Sequence, residues 1–426
     1  MLTPCPVVSL GSAAADCVYY MHHIERTLLH PRPRGSAELG VSTQDVDSMG
    51  VDRMITSGVE VRSGSFGEFW NWGLDRIDQT LGTNNRYSFG NSTGRGTVLY
   101  TIDTGIYVHH SDFAGRIVDG YSIGCPTGNE EACRTGQWVH KGYITDDTPT
   151  ASGFQSDTGE RCDSHGTHTA STAAGRLYGV AKEAEIVVVQ GLDCNGTASN
   201  SMFIAALDWA VGDARRRGKP AVMSMSLGGD RDDLLDQAAQ RASAHGFTVV
   251  TASGNDGGDS CAMSPGGAKE AISVAAIDQT DTIAPYSNRG ACTNLIAPGT
   301  GIVAAYIGGS KDSAAALSGT SMATPHVAGA VLQLLQHYPH YTPLDISRAL
   351  TCMSTKGVVN GLDAQTPNHL LHTGTMLAEA QNAQLLGQIQ GASGRDVTAQ
   401  QMGCLDDPSS GGSQQAHGAL QPAPLH

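Results

Sequence analysis

Five short apolar runs constrain this chain more than any other feature. They cover 97–102, 186–189, 222–227, 248–252 and 272–277, and the first ends abruptly at Asp103-Thr104-Gly105. Runs this short and this continuously apolar read as strands buried on both faces. Helical patterns lie between them. Met202, Ile204, Ala205, Leu207, Trp209 and Ala210 follow the polar starters Ser199 and Asn200, and Leu234, Leu235, Ala238 and Ala242 follow Asp232. Strands alternating with helices predict an α/β fold in three layers: a central, mostly parallel sheet covered by helices on both faces. Ligands of such sheets sit in the crevice outside the carboxyl ends of the strands, so the chemistry is expected there.

Composition narrows the function classes. The 426 residues suit one large domain with flanking segments, and 53 glycines with only 16% charged residues suit tight turns around a buried core. The formal net charge is −15, and Arg215-Arg216-Arg217 is the sole basic run. It precedes Gly218 and reads as the solvated last turn of a helix. Phosphate binding needs a concentrated positive surface, so nucleic acid is not an expected partner. No apolar stretch approaches the roughly 18 residues that span a bilayer, and no transmembrane segment is expected.

Residues 1–65 form a poorly patterned leader, 66–374 the folded domain, and 375–426 a flexible, low-complexity tail ending in Gly411-Gly412-Ser413. The first residues hold Pro4 and Pro6 before the small run Ala13-Ala14-Ala15, which makes a weak signal peptide. A strand is expected at 58–61. The polar stretch 124–160 reads as a surface insertion. Ten cysteines with local spacings and no CxxC favour an oxidising compartment over metal binding.

Three segments carry chemistry, and each sits at an element boundary. Asp103 ends an apolar strand, where a carboxylate needs hydrogen-bond partners. Asp163-Ser164-His165-Gly166-Thr167-His168 opens a small-residue helix over 169–175. Ser318-Gly319-Thr320-Ser321-Met322-Ala323-Thr324-Pro325-His326 leads into a helix over 327–336, with Pro325 expected near its start. A serine there is a weak nucleophile until a base reaches it and a third group fixes the base's tautomer. His165 and Asp103 are the residue types that fill those roles. A fourth element, Ala252-Ser253-Gly254-Asn255, follows a strand, and its amide can donate to the oxygen of a tetrahedral intermediate.

Other readings compete. His165 and His168 share a helix face, but no HExxH glutamate or third metal ligand accompanies them. Gly319 to Ala323 mimics the nucleophile elbow of α/β-hydrolases, yet that fold places its acid and histidine after the serine. The order here is Asp, His, Ser. A catalytically dead, peptide-binding homologue would show degraded motifs, and these are intact.

The segments Thr101-Ile102-Asp103-Thr104-Gly105, His165-Gly166-Thr167-His168 and Gly319 through Gly329 resemble the three signatures of the subtilisin-like serine proteases. Within that family Trp72-Gly73-Leu74-Asp75-Arg76-Ile77-Asp78, Leu192-Asp193-Cys194-Asn195-Gly196 and Ser224 through Gly229 are similar to the proteinase K and aqualysin branch. The resemblance spans roughly residues 70–374. It implies a subtilisin-like fold and a secreted serine endopeptidase that works through an acyl-enzyme and needs no cofactor for catalysis. Asp103, His165 and Ser321 would be the triad, with the oxyanion held by Asn255 and the Ser321 backbone N–H. Substrate backbone would pair with Gly196, Thr197 and Ala198 on one side and Ser226, Leu227 and Gly228 on the other, giving broad specificity toward protein and peptide substrates. The small, uncharged wall Ala252, Ser253 and Gly254 suggests apolar or aromatic residues before the cut.

The resemblance also implies disulfides Cys162–Cys194 and Cys261–Cys292. Cys125–Cys133 is added from the insertion's own spacing, and Cys5, Cys17, Cys352 and Cys404 stay unassigned. Family members often bind a structural calcium through an aspartate where this chain has Asn294, which weakens or removes that site. The stretch 51–63 resembles the end of an inhibitory propeptide, although the leader is short for one. Self-cleavage is therefore expected around residues 64–70, with the propeptide acting as inhibitor and the enzyme acting as a monomer.

Overall fold

The computed structural model describes residues 18–20, 64–67, 71–122, 164–192, 196–307 and 310–374. Nine strands form its central sheet: β1 Val98–Asp103, β2 Ile117–Ser122, β3 Glu185–Gln190, β4 Ala221–Met225, β5 Thr248–Ala252, β6 Ala271–Ile277, β7 Leu295–Pro298, β8 Thr355–Lys356 and β9 His369–Leu370. Their spatial order is β8-β9-β7-β6-β5-β4-β1-β3-β2. Every neighbouring pair is parallel except β8–β9.

The five strands expected from sequence are β1, β3, β4, β5 and β6, which lie next to one another in the middle of the sheet. The other four take its two edges. β2 alternates partly exposed and buried residues, while β7, β8 and β9 have only two to four residues each. They carry a weaker apolar signal, β2 because it is only partly buried and β7, β8 and β9 because they are so short.

The helices are α1 Trp72–Ile77, α2 His165–Ala174, α3 Asn200–Arg217, α4 Asp233–Ala244, α5 Thr320–His337 and α6 Pro343–Met353. Alternate strand residues sort the core into two clusters. Leu99, Ile186, Val188, Val222, Val250 and Ile272 pack with α2, α5 and α6. Tyr100, Val187, Val189, Met223, Met225 and Val249 pack with α3 and α4. This is the three-layer arrangement that the alternating pattern requires.

Two helices differ from their sequence reading. The buried face of α3 is Phe203, Ala206, Leu207 and Ala210, whereas Met202 is 40% exposed. Apolar residues surround the start of α3, so periodicity allows two faces, and packing selects the one with the phenylalanine. Helix α5 starts at Thr320, five residues before Pro325, so the proline lies inside the helix. Its missing N–H would have bonded the Ser321 carbonyl, which instead accepts the Ser226 hydroxyl at 2.9 Å. All sixteen residues from Thr320 to Leu335 are buried, as expected for a helix lacking a polar face.

Helix α3 ends on Gly218 at φ 63° after Arg215, Arg216 and Arg217. Arg217 pairs with Asp213 and Asp119, so that residue is tied down rather than simply solvated. Cys261 and Cys292 are disulfide-bonded across 31 residues, a constraint worth about 2–4 kcal/mol, and Cys352 is also disulfide-bonded. Two short pieces of the leader are placed. Val18–Tyr20 pairs antiparallel with Thr197–Ser199, and Gly64–Gly67 pairs antiparallel with Arg86–Gly90. The expected strand at 58–61, the insertion, the tail and Cys125, Cys133, Cys162 and Cys194 lie outside the described residues.

Candidate active site

Strands β1 and β4 meet at the switch point of the sheet. From β1 the chain winds through β2 and β3 to one edge, and from β4 through β5, β6 and β7 toward the other. Thr101 pairs with Ser224 across this junction. Two residues further on, Asp103 and Ser226 therefore emerge side by side at the carboxyl end, where ligands of such sheets bind.

Asp103 is buried and fully engaged. Its Oδ1 accepts the Thr104 N–H at 2.8 Å and faces His165 Nδ1 at 2.7 Å, and its Oδ2 accepts the Thr169 hydroxyl at 3.1 Å. A carboxylate oxygen accepts, so this contact assigns the imidazole proton to Nδ1 and leaves the ring's lone pair on Nε2. Helix α2 must come very close for this contact. A Cβ at Gly166 would stand 2.0 Å from the Gly105 carbonyl oxygen, so only glycine fits after His165.

Ser321 is the second residue of α5 and is bonded reciprocally to Ser226. The Ser226 hydroxyl donates to the Ser321 carbonyl at 2.9 Å, and the Ser321 hydroxyl donates to the Ser226 carbonyl at 3.2 Å. Asp103 with His165 and Ser226 with Ser321 thus sit on adjacent strand ends.

Asn255 lies beside them. Its Oδ1 accepts both the backbone N–H and the hydroxyl of Thr320, each at 2.8 Å. With the oxygen so occupied, the amide nitrogen turns outward. A Cβ built on Gly319 would lie 3.6 Å from Asn255 Nδ2 and 3.6 Å from the Ser321 backbone nitrogen. Two N–H donors therefore flank one small space at the positive end of α5.

Thr197 and Ala198 belong to the short strand that accepts Val18–Tyr20, and Gly196 precedes it at φ 74°. Leu227 is buried between Ser226 and Gly228. Ala252 ends β5, the Ser253 hydroxyl donates to the Asn288 carbonyl at 2.9 Å, and Gly254 adopts φ 104°.

His168 does not join His165. It is fully buried, and its Nε2 donates to the Ile302 and Ala315 carbonyls at 2.9 and 3.2 Å. Burial pushes its pKa down to about 3, so it is neutral and committed to the hairpin Ile302–Ala305 and Ala314–Leu317. Among the described residues no group of three or more His, Cys, Asp or Glu could hold a metal ion. Asn294 spends its amide oxygen on the Ser273 N–H at 2.7 Å.

Sequence reasoning missed Thr169, Thr320, the Ser226 side chain and Asn288. Thr169 had a signal, since it lies one helical turn after His165, and Thr320 directly precedes Ser321. Ser226 and Asn288 reach the site only through tertiary contact.

An acid, an imidazole and a hydroxyl beside two convergent N–H donors define the class of a serine hydrolase. The Subtilase family model matches residues 94–393. The chain is 41% identical over 320 residues to the "Extracellular serine proteinase" of Thermus sp. (strain Rt41A), covering 75% of this chain and 70% of that protein. It is 38% identical over 309 residues to "Subtilisin-like protease 2" of Pseudogymnoascus destructans, covering 72% of this chain and 67% of that protein. A solved cold-adapted subtilisin-like serine proteinase superposes with a TM-score of 0.59 at 34% identity, covering 71% of this chain and 97% of that one. The chain belongs to the subtilase family and is a serine-type endopeptidase with the subtilisin-like fold.

Proposed function

We propose that this chain is a secreted endopeptidase in which Ser321 is the nucleophile, His165 the general base and acid, and Asp103 the group that orients His165. The observation that carries this reading is the 2.7 Å contact of His165 Nδ1 with Asp103 at the strand end next to Ser226 and Ser321. Ser321 Oγ attacks the scissile carbonyl carbon, and His165 Nε2 takes its proton. The carbonyl oxygen gains negative charge and is held by Asn255 Nδ2 and the Ser321 N–H. The C–N bond breaks as His165 returns the proton to the leaving amine, which gives the acyl-enzyme. Water then attacks with His165 again taking a proton, and the acid leaves as Ser321 regains its hydrogen. No cofactor enters any step.

Substrate backbone lies as an added strand between 196–198 and 226–228, and this backbone pairing makes specificity broad. The small wall at 252–254 favours apolar or aromatic residues before the cut. The leader acts as an inhibitor, a reading supported by Val18–Tyr20 pairing along the same edge at 197–199. Processing falls around residues 64–70, and disulfides Cys162–Cys194 and Cys125–Cys133 suit the extracellular setting named for the Thermus relative.

Digestion of a peptide library with product sequencing tests the proposal. Cuts should follow apolar and aromatic residues within chains, and Ser321→Ala should abolish them. Strict cleavage after Arg or Lys, or activity surviving in Ser321→Ala, would refute it. Purified active enzyme still beginning at Met1 would refute the processing step.

A further inference from the structure

The loop after β5 carries Asn255 but has no regular structure from Ser253 to Gly258. It is fastened to the segment 286–289, and most of the fastening falls on one residue. The Ser253 hydroxyl donates to the Asn288 carbonyl at 2.9 Å, and the Asn288 N–H donates to the Gly254 carbonyl at 2.9 Å. Asn288 Oδ1 then accepts the N–H groups of Asp256 at 3.0 Å and Gly258 at 2.8 Å. Gly257 and Gly258 add bonds to Tyr286 and Arg289. The Asn288 carboxamide also presses on Gly254, where a Cβ would come within 2.3 Å of Nδ2.

Asn288 is 2% exposed and lies outside the crevice lining described above. It holds Gly254 and Asp256, the residues on either side of Asn255, while Thr320 fixes the Asn255 amide oxygen from the opposite side. The donor nitrogen of Asn255 is thereby set from both flanks and from behind. We infer that Asn288 is a positioning residue for catalysis, acting by holding the Gly254–Asp256 turn so that the Asn255 amide points at the developing oxyanion. This rests on the oxyanion role proposed for Asn255. A misplacement of about 1 Å at such a donor costs about 10²-fold in rate, and the Asn288 bonds are what prevent it.

The test is a double-mutant cycle on the processed enzyme, with kcat, KM and the melting temperature measured for Asn288→Ala, Asn255→Ala and the pair. Asn288→Ala should lower kcat by about 10–100-fold with KM nearly unchanged. In the Asn255→Ala background the same change should lower kcat by less than about 3-fold, because nothing is left to aim. Asn288→Asp keeps an acceptor for Asp256 and Gly258 and should recover most of kcat. If Asn288→Ala does not fold, Asn288→Ser is read by the same criteria. Losses that multiply in the double variant, or a loss carried by KM, would overturn the inference. If Asn255→Ala alone leaves kcat intact, the oxyanion reading fails. If Asn255→Ala loses kcat and Asn288→Ala does not, only the positioning role fails.

Discussion

The two ends of helix α5 do opposite things with the polar groups around them. At the carboxyl end each is spent on structure. Gln333 Nε2 donates to Tyr87 Oη, the Ser92 carbonyl and the Val180 carbonyl at 3.0, 2.7 and 3.0 Å, and Gln336 Oε1 accepts the N–H groups of Thr93 and Gly94. At the amino end, Asn255 Nδ2 and the Ser321 N–H flank the same space beside Gly319, and neither has a protein acceptor among the described residues. One end is closed by its own chain, and the other holds donors in place for something that arrives. Donors grouped at the positive end of a helix are placed to receive an anionic oxygen, so the open pair marks the end that works on a ligand.

Substitutions at the open end should remove activity and spare stability. Ser321→Ala has the largest expected effect, a loss of about 10⁶-fold in kcat, the size already established in this family, with an unchanged melting temperature. Gly319→Ala is next. Its φ of 162° is ordinary extended backbone, and its new methyl would meet Asn255 Nδ2 and Ser321 N at ordinary contact distance. The variant should fold normally yet crowd the oxyanion, losing about 10²-fold in kcat. Wild-type turnover in Gly319→Ala would break the contrast between the ends.

At the closed end the signs reverse. Gln333→Leu strands the Ser92 carbonyl, whereas the Val180 carbonyl keeps the Tyr87 hydroxyl. It should cost about 1–3 kcal/mol in denaturant unfolding, while the folded variant keeps its kcat.

The same contrast governs the histidines. His165 has a carboxylate partner, whereas His168 and His326 are buried without one, and burial lowers their pKa values to about 3 and 4. Their folded pKa values lie below the unfolded value near 6.5, so unfolding takes up protons below that pH. Stability should therefore fall as pH drops from about 6.5 toward 4, which denaturation with proton-uptake measurements would record. Asp78 has the opposite sign. Burial raises its pKa to about 7 and its Oδ1 has no partner, so the folded state favours the protonated form and stability falls as pH rises from about 4 to 7. Asp78→Asn should raise the melting temperature at pH 8 and leave it nearly unchanged at pH 4, the smallest effect of the set.

How much of this could be read from the sequence follows from the same physics. Asp103, His165, Ser321 and Asn255 each stand where a periodic segment begins or ends, so local pattern locates them. The central strands are legible because both faces are buried. β2 reads poorly because Ile117, Val118 and Asp119 are only partly buried, and β7 because four residues ending in Pro298 make a faint signal. Pro325 misled because its cost is met by Ser226, roughly a hundred residues away. Asn288 was invisible because its value lies wholly in what it touches.

The central claim is that Asp103, His165 and Ser321 act as one proton-passing unit, and covalent labelling by an organophosphorus fluoridate tests it most directly. Peptide mass spectrometry should find a single phosphoryl group, on Ser321 Oγ. Its rate of attachment should fall by orders of magnitude in His165→Ala and should follow one ionisation of His165. Labelling at another residue, or at Ser321 with the same rate after His165 is removed, would contradict the account.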